Sequence, residues 1–227
     1  MEIIWHGYSF FEIKGKVSQV FGDNLVRKEN VSLAIDPFSE KIGLKIPKKI
    51  ESDILLISHS HHDHSNKKII GGNPFLIQDP GEYEVRGVKI RGIESFHNSS
   101  SEEEIEANII FVLEIEGIKI CHMGDFGEKE LSSSQIEEIM GVDILLIPVG
   151  GNFTISGKEA SKIITRVEPK IAVPMHYKIP GLNIKIDDEK VFLGAIGAGA
   201  KEKIKKLKIK KSDISKEKTE IVLFDKY

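Results

Sequence analysis

His59-Ser60-His61-His62-Asp63-His64 stands directly behind the apolar run Asp53-Ile54-Leu55-Leu56-Ile57 and Ser58. These six residues hold four of the chain's eight histidines, a density that composition does not explain. Imidazole and carboxylate are good donors to zinc and similar divalent ions. A short continuous apolar run suits a strand buried on both faces. Donors placed where such a strand opens into a loop have a rigid base and an open mouth. His59 and His61 can aim at one ion, Asp63 and His64 at a second. His62 is expected on the rim.

Three further donors follow at the ends of expected strands. His97 comes after Ile93-Glu94-Ser95-Phe96, Asp125 lies in His122-Met123-Gly124-Asp125-Phe126-Gly127, and His176 lies in Pro174-Met175-His176-Tyr177. Alone, each reads as an ordinary core, surface or turn residue. In this order behind His-x-His-x-Asp-His, the set resembles the signature of the metallo-β-lactamase superfamily. The resemblance implies a four-layer αββα sandwich, an α/β fold of two mixed sheets with outer helices. It implies one metal held by His59, His61 and His97, a second by Asp63, His64 and His176, and Asp125 bridging both. The cofactors would be two divalent metal ions, zinc first, with manganese or iron as alternatives.

The resemblance extends toward the ascorbate-6-phosphate lactonase-like subgroup. It is carried by Trp5-His6-Gly7-Tyr8-Ser9-Phe10, Ile35-Asp36-Pro37-Phe38, Pro148-Val149-Gly150-Gly151-Asn152-Phe153-Thr154 and Pro174-Met175-His176-Tyr177. Tyr8 departs from the pattern, because the subgroup usually has histidine there and this chain has its histidine at His6. The implied activity is hydrolysis by a hydroxide held between the metals. A bound divalent ion lowers the pKa of water from about 16 to about 7, and Asp63 is the candidate catalytic residue that orients the hydroxide or relays its proton. Redox relatives typically carry Glu at the second position of the motif, so His61 favours hydrolysis.

Outside the motif, the first third reads as strands at 2–6, 9–14, 17–21 and 31–36, punctuated by Gly7, Gly15, Gly22 and Pro37. More strands are expected at 88–95, 108–115 and 119–122. The second half alternates helix and strand. Ser132 with Gln135, and Ser156 with Glu159, have the capping-box form. Behind the latter, Ala160, Ile163, Ile164 and Val167 share one helical face, and Pro169 ends the helix. Buried strands follow at 142–147 and 170–174. The run Asp53-Ile54-Leu55-Leu56-Ile57 recurs as Asp143-Ile144-Leu145-Leu146-Ile147, which suits two related halves. Residues 201–211 read as a helix end running into an amphipathic strand, and 219–225 as a terminal strand.

The 227 residues are read as one domain, 1–227. A net charge of -3 gives no electrostatic reason to expect a polyanion. The single cysteine, Cys121, excludes an intrachain disulfide and fits a reducing, cytoplasmic setting; it is expected in a strand core. No stretch reaches the ~18 apolar residues of a membrane span. The expected substrate is a small-molecule lactone, ester or phosphoester. The alternatives are a nuclease or phosphodiesterase acting on RNA or single-stranded nucleic acid, whose local support is the lysines of 201–211, and a non-catalytic metal-binding module. His122 and Tyr177 are placed near the site as a partner of Asp125 and an oxyanion donor, or as packing residues. Oligomeric state is not legible from the pattern.

Overall fold

The two Asp-Ile-Leu-Leu-Ile runs become inner strands of two different sheets in the computed structural model, which describes residues 1–21, 25–97, 106–214 and 217–227. Ile54–Leu56 lies between Leu25–Ile35 and Phe75–Ile77, parallel to both. Ile144–Pro148 lies between Ile118–His122 and Ile171–Met175, again parallel to both. The echo extends to the aspartates. Asp53 donates its amide to the Ser32 carbonyl and accepts the Ser32 amide on its carboxylate at 2.9 Å, and its carbonyl receives the Phe75 amide. Asp143 does the same with Lys119, at 2.8 Å, and with Ile171. Each run is thus tied to the strand before it and the strand after it in one way.

The six-stranded sheet runs Lys206–Lys208, Glu2–Gly7, Phe10–Phe21, Leu25–Ile35, Ile54–Leu56, Phe75–Ile77. The seven-stranded sheet runs Glu220–Ile221, Ile171–Met175, Ile144–Pro148, Ile118–His122, Ala107–Ile115, Val88–Phe96, Gly81–Val85. One continuous buried cluster joins them, from Ile3 and Phe11 through Leu56 to Ile110 and Leu146. Strands packed from both sides need apolar residues on both faces, which is why the two central runs do not alternate.

Both capping boxes are present. Ser132 and Gln135 start the helix Ser133–Ile139, and Ser156 and Glu159 start Gly157–Val167. The stripe Ala160, Ile163, Ile164 and Val167 is buried, and the helix packs on Ile144–Pro148 and on a third helix, Glu189–Ala195. It ends at Glu168, in a left-handed conformation before Pro169. The helical layers are unequal. All three α-helices among the described residues follow Ser132, whereas the first half contributes the 3-10 turns Glu40–Ile42 and Lys67–Ile69. None of the helices is long and apolar enough to cross a membrane.

Four local expectations are corrected. The strands at 9–14 and 17–21 are one strand, Phe10–Phe21, running through Gly15. Gly15 does not break the strand; a Cβ there would lie 2.4 Å from the Ile115 side chain, so glycine permits the close approach of the other sheet. The strand at 31–36 starts earlier, at Leu25, because pairing with Phe10–Phe21 outweighs the polar Lys28-Glu29-Asn30. Gly22 lies outside the described residues. Residues 201–211 hold no helix end but two short strands, Lys203–Ile204 and Lys206–Lys208. Several of their lysines face carboxylates: Lys203 to Glu189, Lys206 and Lys208 to Glu2, Lys211 to Asp143. The terminal strand is split into Glu220–Ile221 and Leu223–Phe224, each with a different partner strand.

Strand direction positions the site. Glu2–Gly7, Leu25–Ile35 and Ile54–Leu56 run one way in the first sheet, since Phe10–Phe21 is antiparallel to its neighbours. Val88–Phe96, Ile118–His122, Ile144–Pro148 and Ile171–Met175 share a direction in the second. The residues leaving their C-terminal ends are Tyr8, Asp36, Ser58 with the histidine loop, His97, Met123 with Asp125, and His176. They meet at one edge, the usual place for a ligand in such sheets.

Candidate metal centre

Asp125 is the hub. Its Oδ2 lies 3.1 Å from His64 Nε2, 3.2 Å from His97 Nε2, 3.1 Å from His176 Nε2 and 4.0 Å from His59 Nε2. Donor atoms of His59, His61 and His97 lie within 4.8 Å of one another, as do those of His59, Asp63 and His64, and those of His64, Asp125 and His176. The structure therefore brings together all seven residues singled out in the sequence. His61 is the most open of the five candidate donor imidazoles; its Nε2 faces the Glu106 carboxylate at 3.1 Å.

The donor set fits a metal on the evidence of its own tautomers. Ser58 donates its hydroxyl proton to Asp36 Oδ2 at 2.6 Å, so in the 2.9 Å contact between His59 Nδ1 and Ser58 Oγ the imidazole donates to the hydroxyl oxygen. His64 Nδ1 likewise donates to Asp36 Oδ2 at 3.0 Å. With both rings neutral, as a metal requires, their Nε2 atoms face inward unprotonated; these atoms are buried with no hydrogen-bond partner, as are both ring nitrogens of His176. Orphaned inward lone pairs beside a buried carboxylate are what a cation would satisfy.

The electrostatics of the metal-free hub centre on Asp125. Burial opposes charge on Asp125, yet His176 and His64 outweigh it and hold the carboxyl well below its usual value. Burial and the neighbouring His64 keep His59 neutral, its pKa well below the ordinary imidazole value. Burial also disfavours a charged His64, but Asp125 and Asp36 overcome it and raise its pKa well above that value.

Three residues at the site have strained backbones. Tyr8, Asp36 and His176 all have left-handed φ, at 57°, 52° and 52°. Such positions cost roughly 1–3 kcal/mol each and persist where the surroundings over-determine them. His176 is held by its amide on the Tyr8 carbonyl at 3.0 Å. Asp125 is aimed by Asn108, whose Oδ1 accepts the Asp125 amide at 2.9 Å while its Nδ2 donates to the Met123 carbonyl.

Some residues have other places. His62 points outward, with a mostly exposed side chain. His6 stays away from the hub; it is buried, with Nε2 3.4 Å from Glu12. His122 donates from Nε2 to the Ser9 carbonyl and accepts the Gly124 amide, fixing the turn that carries Asp125. Tyr177 stacks on Trp5 at a centroid distance of 5.2 Å. Cys121 is strand core, and burial pushes its thiol up. The sequence reading missed Asp36 as a site residue, although Asp36-Pro37-Phe38 had been noted as a mark of the subgroup. It also missed Ser58, Asn108 and Glu106. Asp36 was detectable, being an acid at the end of a β-rich run; Asn108 reads as an ordinary strand residue.

Residues 24–176 match the family described as the β-lactamase superfamily domain. A "UPF0173 metal-dependent hydrolase" from Thermococcus onnurineus is 33% identical over 175 residues, 64% of this chain and 76% of that protein. A protein of the same description from Methanobrevibacter smithii is 31% identical over 207 residues, 78% of this chain and 82% of its own. A crystal structure from Thermotoga maritima, of a proposed zinc-dependent hydrolase of the metallo-β-lactamase superfamily, superposes with a TM-score of 0.74 at 34% identity, covering 98% of this chain and 97% of that one. The chain belongs to the metallo-β-lactamase superfamily. It is a metal-dependent hydrolase of that family.

Proposed function

We propose that the chain uses two metal ions, held by His59, His61, His97, Asp63, His64, His176 and the shared Asp125, to hydrolyse a small-molecule ester, lactone or phosphoester. The observation that carries this reading is the convergence of four imidazole Nε2 atoms on Asp125 Oδ2 within 3.1–4.0 Å. When bound, such ions supply an acidified water and positive charge at the departing oxygen. Zinc suits the all-nitrogen-and-oxygen donor set, as do manganese and iron.

The protein's own part is to hold these groups apart and in register. Asp125 offers Oδ2 to both sides of the hub, while Ser9 Oγ reaches its Oδ1 at 3.4 Å. Asp63 sits at the open side, partly exposed, where its carboxylate can orient water or take its proton. A small substrate is favoured over a nucleic acid because Lys203, Lys206, Lys208 and Lys211 pair with carboxylates, which weakens the positive field of 201–211.

The test is elemental analysis of the purified protein beside Asp125→Ala, with hydrolysis of chromogenic ester, lactone and phosphodiester substrates. About two ions per chain, depleted in Asp125→Ala together with turnover, would support the reading. A protein that neither retains metal nor takes it up on reconstitution would overturn it.

A further inference from the structure

We propose that Tyr8 is a positioning residue of the metal centre, whose phenol fixes the rotamer of Asp63 and so the oxygen that Asp63 presents to a metal. This rests on the reading of Asp63 as a metal ligand. The Tyr8 hydroxyl donates to Asp63 Oδ2 at 3.1 Å, and it is the only side chain among the described residues that hydrogen-bonds this carboxylate. A phenol has one proton to give. With that proton on Oδ2, the carboxylate has a distinct remaining oxygen, Oδ1, which lies 4.0 Å from His62 Nδ1 and can turn to an ion.

The rest of Tyr8 is built to keep the hydroxyl still. Its ring lies 4.1 Å from the His176 ring and 5.2 Å from the His64 ring, centroid to centroid. Its carbonyl accepts the His176 amide at 3.0 Å and the Trp5 indole at 2.9 Å. The residue is buried, and its left-handed backbone is maintained at a cost where an unstrained residue would serve for mere packing. Asp63, by contrast, sits on a loop with no strand to hold it. One side chain thus touches three of the metal-site residues, and Asp63 is the one for which it supplies orientation.

Removal of such an outer-shell partner typically lowers metal affinity or activity 10–100-fold. The experiment is zinc binding by competition with a chromophoric chelator, on wild type, Tyr8→Phe, Asp63→Ala and the double variant, each with a melting curve. Tyr8→Phe keeps the ring against His64 and His176 and deletes only the hydroxyl. The expected result is weaker binding of the second zinc by about tenfold or more in Tyr8→Phe. Little further loss should follow when Tyr8→Phe is added to Asp63→Ala, because the two act through one contact. Equal zinc affinity in Tyr8→Phe and wild type would overturn the proposal, as would additive losses in the double variant. Wild type that binds no zinc would overturn the metal reading itself.

Discussion

Replacing Asp36 by asparagine should damage the metal centre, although Asp36 sits outside the seven-residue donor set. Asp36 is fully buried and accepts three hydrogen bonds: Ser58 N on Oδ1 at 2.7 Å, and Ser58 Oγ at 2.6 Å and His64 Nδ1 at 3.0 Å on Oδ2. Asparagine can keep the first and presents an NH2 to the other two. Hydrogen bonds to a charged group contribute about 1.5–3 kcal/mol each, so the unrelaxed loss is about 3–6 kcal/mol. The Ser58 hydroxyl can rotate and His64 can change tautomer, which should bring the cost to about 3 kcal/mol. For a chain of this size that lowers the melting temperature by about 6–12 °C. The tautomer change matters more for function: it puts a proton on His64 Nε2, which then cannot donate to a metal. Zinc affinity should fall 10–100-fold. The assay is calorimetric melting of chelated protein together with zinc competition. A variant melting within about 2 °C of wild type, with zinc affinity unchanged, would refute the reasoning.

Protonation gives a second expectation, with a definite sign. In the metal-free protein the raised pKa of His64 contributes stability that is fully present below the unfolded value of about 6.5 and is lost as pH rises through the folded value. Zinc needs that ring unprotonated. The melting temperature of chelated protein should therefore fall from about pH 6.5 upward, while the gain from added zinc grows over the same interval; a zinc gain flat in pH would contradict this. Gly150→Ala should misplace His176, since the new Cβ would lie 2.1 Å from the His176 carbonyl oxygen. Overpacking of this kind costs about 1–3 kcal/mol, and zinc should be retained less well. Gly194→Ala is the control: it lies in a helix, and beyond its chain neighbours and its own helix backbone the added carbon meets no atom within 4 Å. It should stabilise by about 0.5–1 kcal/mol and leave zinc binding unchanged.

The candidate site was more legible than the sheet around it. A cluster such as His59-Ser60-His61-His62-Asp63-His64 states its chemistry locally, and His97, Asp125 and His176 follow at strand ends that short apolar runs reveal. The strand Leu25–Ile35 was half hidden, because its polar stretch is held by cross-strand pairing with Phe10–Phe21, a long-range contact. Gly15 misled for a related reason: glycine marks a turn when its freedom is backbone freedom, and marks a close approach when it is room for Ile115. The lysines of 201–211 lent local support to the nuclease alternative because Glu2 and Asp143, which face several of them, are remote in sequence. Asp36 was passed over because its role depends on Ser58 and His64, more than 20 residues away.

The repeated Asp-Ile-Leu-Leu-Ile strand connects the fold to the site. In each half the aspartate anchors the start of the run to the preceding strand, by Asp53 on Ser32 and by Asp143 on Lys119. With its start anchored, the run cannot slide in register without breaking these hydrogen bonds. Its far end is therefore fixed as well. In the first half that end delivers Ser58 and the histidine loop. In the second half the Leu146 carbonyl receives the Met123 amide, two residues before Asp125. The two ends meet where Ser58 and Gly124 approach so closely that a Cβ on Gly124 would lie 2.7 Å from the Ser58 Cβ. Histidines from one half and the aspartate from the other are thus set against each other by two anchored strands, so a mobile loop does not have to find its geometry anew. This is the preorganisation that a metal site on these residues would require.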